Sequence, residues 1–168
     1  MSQEDMIAPG DPGADRAQGQ IELLTFSIGG QDYAVDIMLV REIRNWSKPT
    51  PLPRTPSYVR GVINLRGTVL PILDLAARLD LTSEAADDRT VFVVINDGER
   101  LFGVAVDGVS DILTVGREAL QEPPTLGETL GESCVSGLIL EEDRMIRVLA
   151  ADRLAPRDPG LTHEPSAA

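Results

Sequence analysis

The chain has 168 residues, of which 42% are hydrophobic and 25% charged, a composition typical of a soluble globular protein with room for one domain or two small subdomains. Its formal net charge of -12 argues against a phosphate-binding surface and therefore against nucleic acid as a partner. The single cysteine, Cys134, excludes an intramolecular disulfide, and the lack of a long apolar run or signal sequence predicts a cytoplasmic protein with no membrane insertion.

Both ends of the chain have compositions that disfavour ordered structure. Residues 1–20 are rich in Gly, Pro, Asp and Gln, and residues 155–168 contain further prolines and glycine. Such segments bury too little apolar surface to offset the entropy that ordering costs. We therefore predict a flexible acidic arm at residues 1–20, a folded region at 21–154 and a flexible tail at 155–168.

The folded region begins with a pattern of period two. Residues 24–28 and 33–37 alternate apolar and polar side chains on either side of a Gly-Gly turn, which is typical of a β-hairpin. Residues 40–43 could continue as a strand or form a short helical turn, and we favour a strand because two of them are β-branched. Residues 48–56 must form a loop, since their prolines lack the N–H group that an interior strand needs.

The middle of the chain predicts two more strand pairs. Residues 59–65 and 69–73 read as strands, and a short helix follows with Asp74 as its N-cap. Residues 91–95 and 101–106 flank an Asp-Gly pair, which is a strong hairpin signal.

The last part of the chain predicts three strands and one long loop. Residues 109–115 continue as a strand, and residues 116–133 are loop-like because they contain two prolines and two glycines. Residues 137–141 and 145–149 pair around an Asp-Arg turn.

The two halves resemble one another. Residues 33–43 match residues 102–112 in the spacing of their apolar positions. We therefore predict two similar β-units, at about residues 24–80 and 90–154, with an exchange of chain ends between them left open. Units of this size usually close into small barrels, which removes exposed sheet edges.

Groups that could perform catalysis are scarce. The only histidine, His163, lies in the predicted tail, and the only lysine, Lys48, lies in the proline loop. Cys134 has no structured histidine to pair with and is expected to be a small, partly buried residue near the start of a strand. No nucleotide-binding or metal-binding motif occurs, so we predict no enzyme activity, no cofactor and no metal.

One segment carries a specific signature. Residues 61–67 read GVINLRG, with a proline and an Asp-Leu pair following at residues 71 and 74–75, after a proline loop at residues 50–56. This pattern closely resembles that of CheW-like domains, and the resemblance covers about residues 22–154. It implies a mainly β protein with two five-stranded SH3-like barrels packed side by side and short helices.

The resemblance also implies a function and partners. CheW-like adaptors bridge the cytoplasmic tips of chemoreceptors (methyl-accepting chemotaxis proteins) and the regulatory domain of the histidine kinase CheA, and they catalyse no reaction. We therefore expect an adaptor at receptor arrays in the cytoplasm, with other copies of the chain as further partners. Two alternatives are an adaptor of a non-chemotactic array that controls surface motility or a second messenger, and a small-ligand-binding β-barrel.

The turn of the signature is the first part of the predicted binding site. Asn64 tolerates left-handed φ angles and Gly67 has no Cβ, so Arg66 should lie at a bend. From there its guanidinium could bind a partner carboxylate in bidentate fashion, as the resemblance implies. The alternative role of Arg66 is an internal salt bridge to Glu42.

The second part of the predicted site is apolar. The resemblance implies that Val40 and Ile43, with Gly61 and Val62, line a groove between the barrels for the receptor's helical hairpin. The alternative is that these residues are part of the core and that Gly61 marks a bulge. Trp46, the only tryptophan, is either a cap over the first barrel or a partner contact.

Overall fold

The computed structural model describes residues 19–79, 81, 89–123 and 134–155. Most of the two predicted flexible segments therefore lies outside the described residues. Of these segments, Gln20 begins the first strand and Ala155 is buried.

The described chain is mainly β, as the sequence predicts. The first half contains five strands and a short helix: β1 (Gln20–Ile28), β2 (Gln31–Asp36), β3 (Val40–Asn45), β4 (Val59–Leu65), β5 (Thr68–Asp74) and α1 (Leu75–Arg78). The second half has the same succession: β6 (Val91–Asn96), β7 (Leu101–Val106), β8 (Gly108–Gly116), β9 (Val135–Glu141), β10 (Arg144–Leu149) and α2 (Ala151–Leu154). Short 3-10 turns follow β2 and β8, at Ile37–Leu39 and Arg117–Ala119.

The ten strands form two five-stranded sheets. The first sheet has the order β8-β1-β2-β10-β9, and the second has the order β3-β6-β7-β5-β4. In each sheet one neighbouring pair is parallel, β2 with β10 and β5 with β7, and the other pairs are antiparallel. The two sheets therefore have the same topology.

The sheets do not coincide with the units predicted at residues 24–80 and 90–154. Each sheet combines the first two strands of one half with the last three strands of the other half. The exchange occurs at the turn after β2 and at the bend after β7, because β3 pairs with β6 and β8 pairs with β1. The similarity of the halves in sequence thus reflects equivalent strands, whereas their hydrogen bonds cross from one half to the other.

Alternation along the strands creates three apolar clusters. One cluster belongs to the first sheet and includes Leu23, Ala34 and Ile146, and another belongs to the second sheet and includes Leu70, Phe92 and Val94. The largest cluster, called here the shared core, contains residues of both sheets: Leu24, Phe26, Ile28, Tyr33, Val35, Val93, Ile95, Phe102, Val104 and Val106, among others. Because strand side chains alternate between faces, each sheet fills its own interior with one face and packs on the other sheet with the opposite face.

No helix in the described part of the chain has the length and apolar character needed to cross a bilayer.

Candidate functional site

The turn that joins β4 and β5 presents Arg66 to solvent. Leu65 and Thr68 pair across the turn, and both residues between them have positive φ, 52° at Arg66 and 90° at Gly67. Two left-handed residues in a two-residue turn match the twist of the flanking strands. The Asn64 side chain supports the turn, because its Oδ1 accepts a hydrogen bond of 2.8 Å from the N–H of Gly67.

The sequence correctly predicts that Arg66 lies at a bend, but it assigns the left-handed backbone conformation to Asn64, which is wrong. Arg66 lies at the bend, but the left-handed residue is Arg66 itself, and Asn64 is a strand residue. Asn64 acts through its side chain because a short amide can reach a backbone N–H three residues along the chain.

Arg66 also forms the internal salt bridge that the sequence offers as its alternative role. Its Nη2 donates a hydrogen bond to Oε2 of Glu42, and a second arginine, Arg44, lies 3.5 Å from Oε1 of the same carboxylate. The hydrogen bond from Arg66 is the largest influence on Glu42 and lowers the pKa of its carboxyl group; the charges of both arginines act in the same direction. The Arg66 side chain nevertheless remains 69% exposed, so the pair lies at the surface.

The pair closes the second sheet at one end. Glu42 belongs to β3 and Arg66 to the β4–β5 turn, although β3 and β4 are the two edge strands of that sheet. The sheet must therefore curl until its edges approach, as in a barrel. A shallow pocket of about 180 Å³ lies at this end, lined by Arg41, Glu42, Leu65, Arg66, Thr68, Val94 and Leu101.

Val40 and Ile43 lie on the other face of β3. Ile43 pairs with Val93 and Val40 with Ile95, and both of these partners belong to the shared core. Val40 packs against that core, whereas Ile43 is 46% exposed. The two residues therefore form an apolar rim where the shared core meets solvent, separate from the Glu42–Arg66 pair.

Gly61 and Val62 are held by the proline loop. The backbone N–H and C=O of Val62 form hydrogen bonds of 2.9 and 2.8 Å with Thr50. Gly61 has a φ of +142°, and a Cβ at this position would lie 2.3 Å from the carbonyl oxygen of Thr50. Gly61 therefore has the alternative role predicted for it. It lies at a bulge, where the β4–β5 register shifts between Val59 and Gly61, and it packs closely against the backbone of Thr50.

A cleft of about 760 Å³ lies at the opposite end of the second sheet and is bordered by the proline loop, Trp46 and Arg60. Both carboxylates in it have structural partners. Asp74 binds Arg60 at 2.5 Å and accepts a hydrogen bond from the N–H of Ala77, and Asp107 accepts one from the N–H of Gly29. Among the described residues no group of three or more His, Cys, Asp or Glu side chains could hold a metal ion.

Two of the three other residues singled out in the sequence lie within the described part of the chain. Trp46 is partly buried and packs against the core of the second sheet, so it covers that sheet. Cys134 lies directly before β9, as predicted, but it is fully buried rather than partly buried, and its thiol lies 3.6 Å from the carbonyl oxygen of Arg153. His163 lies outside the described residues.

Comparison with known proteins gives consistent results. The model of the CheW-like domain matches residues 22–158. The chain is 43% identical over 140 residues to "Chemotaxis protein CheW" of Rhizobium meliloti (strain 1021), and the matched residues cover 83% of this chain and 90% of the relative. It is 44% identical over 137 residues to "Probable chemotaxis protein CheW" of Rhizobium etli, covering 82% and 88% of the two chains.

A solved structure agrees with the fold. The scaffolding protein TtCheW from Thermoanaerobacter tengcongensis superposes with a TM-score of 0.72 at 25% identity, covering 77% of this chain and 88% of that chain. The two five-stranded sheets are therefore the SH3-like subdomains of this fold. Sequence, topology and these relatives agree that the chain belongs to the CheW-like family of chemotaxis coupling adaptors.

Proposed function

We propose that this adaptor couples the cytoplasmic tips of chemoreceptors to the regulatory domain of the histidine kinase CheA by contact alone, at receptor arrays in the cytoplasm. The observation that carries the proposal is the exposed guanidinium of Arg66, held in a fixed place by the turn and by Glu42. Family membership supports the chemotaxis role, and the structural engagement of the cleft carboxylates supports a function without catalysis.

Arg66 suits recognition of a protein carboxylate. A guanidinium carries five N–H donors in a planar fork, and the hydrogen bond to Glu42 uses one terminal nitrogen. Glu42 thus orients the group before a partner arrives, which reduces the entropy lost on binding. The small pocket beside Arg66 gives a partner side chain a place next to Leu65 and Leu101.

The apolar rim suits the receptor. Val40 and Ile43 offer branched side chains beside the shared core, and a helical hairpin binds through apolar anchors of this kind. Gly61 and Val62 contribute indirectly, because their backbone fixes the proline loop that borders β4.

The test is co-sedimentation with receptor fragments and CheA, combined with kinase assays. We expect Arg66→Glu to abolish kinase stimulation while leaving the fold intact, because the reversed charge repels a partner carboxylate. Arg66→Lys keeps the charge but loses the fork and should retain only part of the activity. Arg117→Glu, a charge reversal at another exposed arginine, should behave like the wild type. Full stimulation by the Arg66→Glu variant would rule out the proposed role.

A further inference from the structure

The cleft of about 760 Å³ lies at one mouth of the barrel that the second sheet forms. All five strands of this sheet contribute to it: β3, β5 and β7 end there and β4 and β6 begin there, with Trp46 following β3 and Asp107 following β7. Sites for small molecules are commonly clefts of about 300–1,000 Å³, and the mouths of β-barrels are among their usual places. The size and position of this cleft, called here the barrel mouth, therefore suit a small ligand.

The barrel mouth is locally basic, although the chain as a whole is acidic. Among the described residues, its lining includes the bases Lys48, Arg60 and Arg89 and the acids Asp74 and Asp107. The chain has 15 basic and 27 acidic residues, so the lining reverses the charge balance of the whole sequence. A cleft with low-dielectric walls focuses the field of such a cluster and concentrates ligands of the opposite charge.

Both acids of the barrel mouth have partners within the fold. Oδ2 of Asp74 accepts hydrogen bonds of 3.0 and 2.5 Å from Arg60, and Asp107 accepts one of 2.7 Å from the N–H of Gly29. Asp74 thus orients Arg60, whose side chain remains 38% exposed. A guanidinium has five N–H donors, so Arg60 and Arg89 can keep their partners within the chain and still bind an anion.

The rest of the lining is apolar and held in place. Ile72 and Phe92 are buried lining residues, and Trp46 packs against the cluster to which they belong. The proline loop contributes two prolines on either side of Thr50, whose backbone forms two hydrogen bonds with β4. Since prolines and backbone hydrogen bonds fix this wall before a ligand arrives, less entropy is lost on binding.

We propose that the barrel mouth binds a small organic anion, whose carboxylate or phosphate group contacts Lys48, Arg60 and Arg89 and whose apolar part lies against Trp46. The site is at the end of the second sheet opposite Arg66, so its ligand does not compete with a partner bound there. This inference goes beyond receptor-kinase coupling, and it can fail while that coupling stands.

Trp46 provides the test, because it is the only tryptophan of the chain and its fluorescence reports on the barrel mouth alone. The full chain is titrated with citrate as a carboxylate, with AMP as a phosphate and with adenosine as the uncharged analogue of AMP. Sodium chloride keeps the ionic strength constant, so general screening does not contribute. We expect a saturable change with citrate or AMP at millimolar concentration or below, and none with adenosine; the tighter anion identifies the preferred group.

Charge reversals then locate the site. We expect Lys48→Glu and Arg89→Glu each to weaken binding at least about fivefold, because a carboxylate repels the anion. Arg60 is kept, since its loss would also free Asp74. Arg117→Glu makes the same charge change at an exposed arginine after β8 and should bind like the wild type. The NMR shift of the Trp46 indole N–H gives a second readout that does not depend on quenching.

Three results would overturn the proposal. The first is a wild type in which neither fluorescence nor the indole N–H responds to citrate or AMP at tens of millimolar. The second is equal binding of adenosine and AMP, since the bases then play no part. The third is binding that Lys48→Glu and Arg89→Glu do not weaken more than Arg117→Glu does, because the anion then responds to net charge and not to this cleft.

Discussion

Glu42 and Arg66 illustrate how single residues set the electrostatics of the site. The folded-state pKa of Glu42 lies below its unfolded value, chiefly because Arg66 donates a hydrogen bond to the carboxylate. The pair therefore stabilises the native state at pH values above the unfolded pKa, and this contribution disappears as the pH falls through the folded pKa.

We predict that Arg66→Ala raises the pKa of Glu42 towards its ordinary value. Arg44→Ala should raise it less, because Arg44 has the smaller influence on this carboxylate. NMR titration of the Glu42 carboxyl carbon in the wild type and both variants measures the effect. An unchanged pKa in Arg66→Ala would mean that the ion pair is not formed in solution.

Gly61 gives a second prediction at the same scale. In Gly61→Ala the new Cβ would lie 2.3 Å from the carbonyl oxygen of Thr50, and the φ of +142° is unfavourable for alanine. Since backbone must move, we expect a loss of about 1–3 kcal/mol in the free energy of unfolding, measured by urea denaturation. Gly98→Ala is the matched control, because Gly98 also has a positive φ but no atom within 4 Å of the added Cβ. Equal losses in the two variants would contradict the steric explanation.

These residues also show which parts of the site can be predicted from sequence. The turn at Arg66 is predictable from the local sequence, because the hydrogen bond that supports it joins Asn64 and Gly67, which are three residues apart. The pairing of Val62 with Thr50 is not predictable from local pattern, since it depends on how the proline loop folds back across β4. The four apolar positions assigned to a groove lie on the two edge strands of the second sheet, Val40 and Ile43 on β3 and Gly61 and Val62 on β4, and their role in binding a partner stays a prediction.

At the scale of secondary-structure elements, Asp74 joins β5 to α1. Its Oδ1 accepts a hydrogen bond of 3.3 Å from the N–H of Ala77, and its Oδ2 accepts hydrogen bonds of 3.0 and 2.5 Å from the guanidinium of Arg60. The carboxylate of Asp74 thus caps α1, as the sequence predicts. It also ties α1 to strand β4 through Arg60, which the sequence analysis does not predict.

Two substitutions of Asp74 separate these functions. Asp74→Asn keeps a capping oxygen but loses the charge that binds Arg60, whereas Asp74→Ala loses both. We expect Asp74→Ala to be less stable than Asp74→Asn by about 1 kcal/mol, the usual contribution of an N-cap. Thermal and urea unfolding of the two variants provide the comparison. If the two variants are equally stable, the cap contributes nothing here.

The second helix is held differently, and its sequence gives little sign of this. Its N-cap is Ala150, which has no side-chain oxygen. Instead, Arg78 from the first half donates to the carbonyl oxygens of Arg153 and Leu154, at 2.6 and 3.2 Å. Because these contacts span 75 and 76 residues, the local pattern around α2 does not contain them.

At the scale of the whole molecule, the repeated halves are visible in sequence but the exchange of strands between them is not. Local alternation identifies strands such as β2 and β7, and similar spacing shows that they are equivalent. Which strand each one pairs with depends on contacts far apart in the chain, such as β1 with β8. The number and type of elements could therefore be predicted, while the assignment of the strands to the two sheets could not.

The exchange predicts that the halves fold only together. A chain cut within residues 82–88 yields two fragments, neither of which contains all the strands of either sheet. We expect each fragment alone to lack stable β-structure and an equimolar mixture to recover it, because every missing neighbour is supplied by the other fragment. Circular dichroism and size-exclusion chromatography test this. A fragment that folds by itself would contradict the prediction.

The shared core also has a mechanical consequence. Two subdomains joined by a flexible linker would swivel, but here side chains of both sheets interlock in one buried layer, and the chain passes between the sheets twice. We therefore expect the two sheets to move together as one rigid body. A rotation of one sheet should then be transmitted in full to the other sheet. The angle between two partners bound at opposite ends of the molecule is therefore set by the packing of the shared core.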